Sequence, residues 1–135
     1  VALHLTEVCK IKSINMKIIL AACILLVSFF FDNPLIGRWE SKPSAKGNIT
    51  GVVFRNDSTF EGYVNRKSFA SGTYQYNTKD SVFSFTDNVC NGVKGVYKIV
   101  FFNQADSLRF QFISDSCTER RKGMEQLVMG RFKIR

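Results

Sequence analysis

An all-β domain, closed as a small eight-stranded up-and-down antiparallel barrel behind an N-terminal signal segment, is the fold class the sequence predicts. Three observations lead there. From Leu35 onward the chain alternates apolar and polar residues in short runs, which sets one face of each run against a core and the other in water. The runs are separated by clusters of Asn, Asp and Ser, whose side chains satisfy the backbone of tight turns. Phenylalanine occurs 13 times and proline only twice, so ring surface for a core is ample and strand breakers are scarce.

The eight segments run over Gly37 to Ser41, Asn48 to Arg55, Thr59 to Asn65, Ser71 to Tyr76, Val82 to Thr86, Gly95 to Phe102, Leu108 to Ser114 and Leu127 to Ile134. Alternation is clearest in Leu108, Phe110 and Phe112 against Arg109 and Gln111, and in Phe60, Gly62 and Val64 against Thr59, Glu61 and Tyr63. Asn56 to Ser58, Asn77 to Asp80 and Asn103 to Asp106 read as hairpin tips. The last two share the form Asn-x-x-Asp-Ser, yet the rings that follow are offset by one position, Phe83 and Phe85 against Phe110 and Phe112. That offset calls for a bulge or a changed register. Ser116 with Glu119 three residues on has the form of a capping box and Gly123 offers a stop, so one short helical turn is expected there. Strands joined by hairpins with a closing segment favour a sheet curled on itself over an open sandwich, because closure removes exposed edges.

Residues 1–31 read as a leader and 32–135 as the barrel domain. Ile18 to Phe31 is a run of 14 residues with Ser28 alone polar, preceded by Lys10, Lys12 and Lys17 and followed by Asp32 and Asn33. A basic start, an apolar middle and a polar exit make a signal-peptide pattern, and the run is short of the ~20 residues of a spanning helix. Met16 before Lys17 is the expected start of translation, with residues 1–15 an over-extension. Leu20-Ala21-Ala22-Cys23 has the form of a lipobox, but the apolar run continues past Cys23 where a lipidated cysteine is followed by a polar linker. Export to the periplasm or the exterior is therefore expected, with the leader or a lipidated Cys23 as the route to any membrane-surface contact.

Cys90 and Cys117 are the cysteines left after the leader, and an exported pair points to one disulfide. From Asp32 onward the chain carries 16 Lys or Arg against 10 Asp or Glu, a net charge of +6, densest at Arg120-Arg121-Lys122. Three charges in a row read as a solvated face, and export argues against nucleic acid as a partner. The single histidine, His4, precedes the leader, so no imidazole is on hand as base or metal ligand. No serine stands at a spacing that pairs it with a lysine or carboxylate base, and Glu40, Glu61, Glu119 and Glu125 fall mostly at solvent-facing positions. Zinc spacing, a calcium loop and a glycine-rich phosphate loop are missing from the sequence. The expectation is a non-enzymatic domain without cofactor or metal.

The first strand, Leu35-Ile36-Gly37-Arg38-Trp39-Glu40-Ser41, holds the only Trp in a Gly-x-Trp triplet, and the last reads Gly130-Arg131-Phe132-Lys133-Ile134-Arg135. This pairing resembles the lipocalin and avidin-like calycin families. Gly95-Val96-Tyr97, Asp106-Ser107-Leu108-Arg109-Phe110 and Asp115-Ser116-Cys117, followed by Arg120-Arg121, are similar to small bacterial secreted lipocalin-like domains. The resemblance implies that Gly37, Trp39 and a last-strand arginine, Arg131 or Arg135, close the barrel floor with the cation over the indole. At roughly 100 residues the domain is small for a lipocalin, and long gating loops are missing.

Phe54, Phe60, Tyr74, Tyr76, Phe83, Phe85, Tyr97, Phe101, Phe110 and Phe112 are the expected barrel lining and the place for a small hydrophobic ligand, in or at the mouth of the barrel. An eight-stranded barrel is either filled by its side chains or holds one small guest, and so many rings favour filling. In an open cavity the hydroxyls of Tyr97 or Tyr74 would orient the guest. The alternative is an envelope-associated interaction or inhibitor module that presents loops at Lys42 to Gly47 and Arg66 to Ser71 to an acidic target.

Overall fold

Alternation of short apolar runs with Asx-rich turns gives, in the computed structural model, a closed barrel in which each strand pairs with its sequence neighbours. The structure describes residues 33–134, so the leader with His4, Met16 and Cys23, and Arg135 at the other end, lie outside the described residues. The strands are β1 (Gly37–Ser41), β2 (Thr50–Phe54), β3 (Thr59–Val64), β4 (Lys67–Asn77), β5 (Val82–Asp87), β6 (Gly95–Phe102), β7 (Ser107–Ser114) and β8 (Val128–Arg131). One helix, α1 (Thr118–Gln126), lies between β7 and β8. The ring closes where β8 pairs with β1, Trp39 opposite Arg131 and Ser41 opposite Met129, and with β7, Leu108 opposite Met129.

The turns are built by their own side chains. Asp57 Oδ1 accepts from the Thr59 amide at 3.0 Å, Asn77 Oδ1 from that of Lys79 at 2.9 Å, and Asp80 Oδ1 from that of Val82 at 3.0 Å. The offset of rings after the two Asn-x-x-Asp-Ser tips is a changed register and not a bulge. Asn77 pairs with Val82, leaving Ser81 in the loop with φ 62°, whereas Phe102 pairs with Ser107, so the second serine already belongs to its strand. Bulges occur elsewhere, skipping Phe69 between the Gly62–Ala70 and Tyr63–Ser68 pairs and Ile113 between the Val96–Ser114 and Tyr97–Phe112 pairs.

Several local expectations change. β4 begins at Lys67 rather than Ser71, because Asn65 and Arg66 make a two-residue turn with φ 51° and 69°. Asn65 tolerates that conformation and also ties the neighbouring loop, bonding Ile49 backbone through both its amide and its Oδ1. The segment Arg66 to Ser71 is thus mostly paired strand and not a free presenting loop. β8 is shorter than the segment Leu127 to Ile134, and β2 starts at Thr50. The helix is a nine-residue element rather than one turn, with Cys117 and not Ser116 at its N-cap and no side-chain cap. Gly123 lies inside it, because the chain stays helical to bring Met124 and then Leu127 against the barrel core. Nor is the outer face wet at Tyr63: its ring lies over Gly51, where a Cβ would sit 2.0 Å from the ring, and its hydroxyl accepts from Arg38 Nε at 2.6 Å.

The disulfide joins Cys90, in the β5–β6 connection, to Cys117 at the head of α1, as expected of the pair. It closes a loop of 27 positions, for which chain entropy alone gives about 3.5 kcal/mol of stabilisation.

Candidate functional site

One end of the barrel is shut. Trp39 is fully buried and donates from Nε1 to the Leu35 carbonyl at 2.8 Å, fixing the segment before β1 across the floor. Arg131 lies over the indole with its Cζ 4.3 Å from the ring centroid, and its Nη2 donates to the Pro34 carbonyl at 2.7 Å. Gly37 lies against this arginine, and its φ of 124° is a backbone conformation that L side chains rarely adopt. Gly37, Trp39 and Arg131 therefore meet at one place, while Arg135 lies outside the described residues. Leu35, Ile99, Leu108 and Met129, each at most 2% exposed, fill the space around them.

Toward the other end the filling stops. After Phe60 the inward residues of β3 are small, Gly62 and Val64, and opposite Gly62 stands Ala70. Thr50 and Val52 on β2 are equally small, and together these residues border a cavity of about 420 Å³. Many rings favoured a filled barrel, but the rings concentrate in the lower and middle barrel and the small residues lie together above them. The volume falls within the roughly 300–1,000 Å³ of small-molecule sites.

The ten expected lining residues divide. Phe54, Phe60, Phe83, Phe85 and Phe110 border the cavity and pack edge to face or stacked, as in Phe60–Phe85 at 5.7 Å and Phe83–Phe85 at 5.1 Å. Tyr76 and Phe101 instead pack toward the floor, Phe101 6.1 Å from Trp39. Phe112 packs on Tyr97 and lies under the Arg121 guanidinium, 3.6 Å from its ring centroid. Tyr74 and Tyr97 are buried, and neither hydroxyl is free to orient a guest: Tyr74 donates to the Arg55 carbonyl at 2.6 Å and Tyr97 to Asp115 Oδ2 at 2.7 Å. Phe69, freed from alternation by its bulge and half exposed, stands at the mouth with Val89.

The ionisable groups of the site are Asp87, Arg120 and Glu119, with Asp115 behind Arg120. Arg120 is not part of a solvated basic face: its side chain is 7% exposed, and its Nε and Nη2 donate to Asp115 Oδ2 and Oδ1, both at 2.8 Å. Nη2 also donates to the Val93 carbonyl at 2.8 Å, and the guanidinium lies over the Phe85 ring at 4.7 Å. Nη1 makes no hydrogen bond among the described residues and stands 3.2 Å from Asp87 Oδ1. Burial pushes the Asp115 carboxyl up, but hydrogen bonds from Arg120, Tyr97 and the Cys117 amide outweigh it and hold the group below the ordinary aspartate range. Burial first, then the bond to Asp115 and its charge, push the Tyr97 phenol above its usual value. Asp87 Oδ1 caps the turn toward the disulfide by accepting from the amides of Val89 and Cys90.

Sequence reading passed over Asp87 and placed Arg120 in solvent. The positions that meet here come from the end of β5, the end of β7 and α1, and the local signals of them are the Asp115-Ser116-Cys117 triplet and the Arg120-Arg121 pair after it. Comparison of the chain with protein-family models and with curated proteins finds no match.

Proposed function

We propose that this domain is a non-catalytic, exported binding module that holds one small apolar molecule in the open half of a lipocalin-like barrel. The observation that carries the reading is the cavity of about 420 Å³ bordered by six phenylalanines of the β-sheet, above a floor sealed by Trp39 and Arg131. An open pocket lined by rings keeps apolar surface against water, and an apolar guest that enters removes that surface from water. The disulfide supports export, since such bonds persist in oxidising compartments.

Titration with N-phenyl-1-naphthylamine, a neutral probe that fluoresces in apolar surroundings, tests this. Saturable one-site binding is expected for the disulfide-intact protein. Ala70→Phe, which puts a ring into the cavity wall opposite Gly62, should weaken the probe at least ~10-fold, a loss of about 1.4 kcal/mol. No saturable binding, or equal binding by a folded Ala70→Phe variant, would overturn the reading.

A further inference from the structure

The polar groups around the cavity do not balance. Asp87, Asp115 and Arg120 have side chains 4%, 0% and 7% exposed, so two carboxylates share one guanidinium away from water. At the rim Glu119 is offset by Lys122 at 3.5 Å, both well exposed. A surplus of one negative charge therefore stays with the buried group, although the domain as a whole is basic.

Where that surplus lies follows from the hydrogen bonds. Both oxygens of Asp115 are taken, Oδ1 by Arg120 and the Cys117 amide, Oδ2 by Arg120 and Tyr97. Arg120 is committed to Asp115, Val93 and Asp87, and its Nη1 is buried rather than presented to a guest. Asp87 differs. Its Oδ1 takes two amides and faces Arg120, while its Oδ2 accepts no hydrogen bond among the described residues, and the residue lines the cavity. An unspent acceptor carrying the local excess charge thus borders a chamber lined by phenyl rings, Phe54, Phe60, Phe83 and Phe110 among them, together with small and aliphatic residues.

We infer, resting on the apolar-binding reading above, that the guest is an apolar amine bound as its ammonium ion, with the cationic end at Asp87 and the body among the rings. Asp87 shares its one counter-ion, Arg120, with Asp115 and keeps an oxygen without a donor, so a cation that enters gains a charge-assisted partner. Ring faces add attraction for the same charge. A neutral molecule leaves the surplus in place, and a carboxylate meets Asp87 with like charge.

Three molecules with one apolar body and different ends test it: 1-naphthylmethylamine, 1-naphthylmethanol and 1-naphthoate, each displacing N-phenyl-1-naphthylamine at neutral pH. The amine is expected to compete at least ~10-fold more tightly than the alcohol, a difference of about 1.4 kcal/mol, with the carboxylate weakest. Asp87→Asn keeps an acceptor for the Val89 and Cys90 amides and should erase the amine's advantage over the alcohol. Equal competition by amine and alcohol, or tightest binding by the carboxylate, overturns the charge assignment while leaving the apolar cavity standing. If the neutral probe itself never binds, both fall; should Asp87→Asn fail to fold, the three-molecule series on the wild-type protein decides.

Discussion

Trp39→Ala is expected to cost about 3–5 kcal/mol of unfolding free energy, the range for deleting a large buried ring from a packed core. The indole is fully buried, its Nε1 holds the Leu35 carbonyl, and its face carries the Arg131 guanidinium. Truncation leaves a void and an unpaired carbonyl, and deprives a partly desolvated cation of its ring. Urea unfolding followed by far-ultraviolet circular dichroism measures the loss, since Trp39 is the only tryptophan and its own fluorescence disappears with it. Phe102→Ala, at a ring 37% exposed, should cost under ~1 kcal/mol in the same assay. Similar losses for both would show that the floor is not where the lower barrel is held.

Arg120→Ala is expected to be as damaging, about 3–5 kcal/mol, because it abandons Asp115 and Asp87 as buried charges without a cation. Lys122→Ala removes a neighbouring charge whose partner Glu119 is 87% exposed, and should stay within about 0.5 kcal/mol of wild type. Combining Arg120→Met with Asp115→Asn should recover part of the loss by removing one orphaned carboxylate. If Arg120→Ala and Lys122→Ala behave alike, the cluster does not hold the upper barrel together.

The same cluster sets two limits in pH. Asp115 titrates lower in the folded chain than when unfolded, so its contribution is complete above the unfolded value, ~3.9, and drains away as pH falls through the lower folded value. Tyr97 titrates higher when folded, so its contribution holds below the unfolded value, ~10, and is lost as pH rises through the higher folded one. Thermal melts across pH should show a plateau between these limits, and Asp115→Asn should flatten the acid side. An acid limb unchanged by Asp115→Asn would assign it to other carboxylates.

Much of the barrel was legible because a period of two survives wherever one face is dry: Leu108, Phe110 and Phe112 alternate with Arg109 and Gln111, and β7 is found there. The floor was expected only through the resemblance carried by the Gly37-x-Trp39 triplet, which left Arg131 and Arg135 both open as the covering cation. The turn at Asn65-Arg66 was not, since Arg66 holds a left-handed conformation for which Gly is the usual signal. The cavity was not, because a void is made by residues that are small relative to their neighbours across the sheet, Gly62 facing Ala70, and that comparison needs the register. Arg120 was misplaced for a related reason: beside Arg121 and Lys122 it looks like one of three solvated cations, and only the helix direction turns it inward while the other two stay out.

β8 is the last of the eight strands to be made, yet it is the piece that pairs with the first. Until it docks, β1 and β7 each present an unpaired margin, and the indole of Trp39 has no guanidinium to cover it. The nascent sheet is then a curled ribbon with two sticky borders rather than a ring, the state in which strand-to-strand self-association between chains is easiest. Four residues, Val128–Arg131, cover both margins, so closing the ring and concealing its edges are the same act.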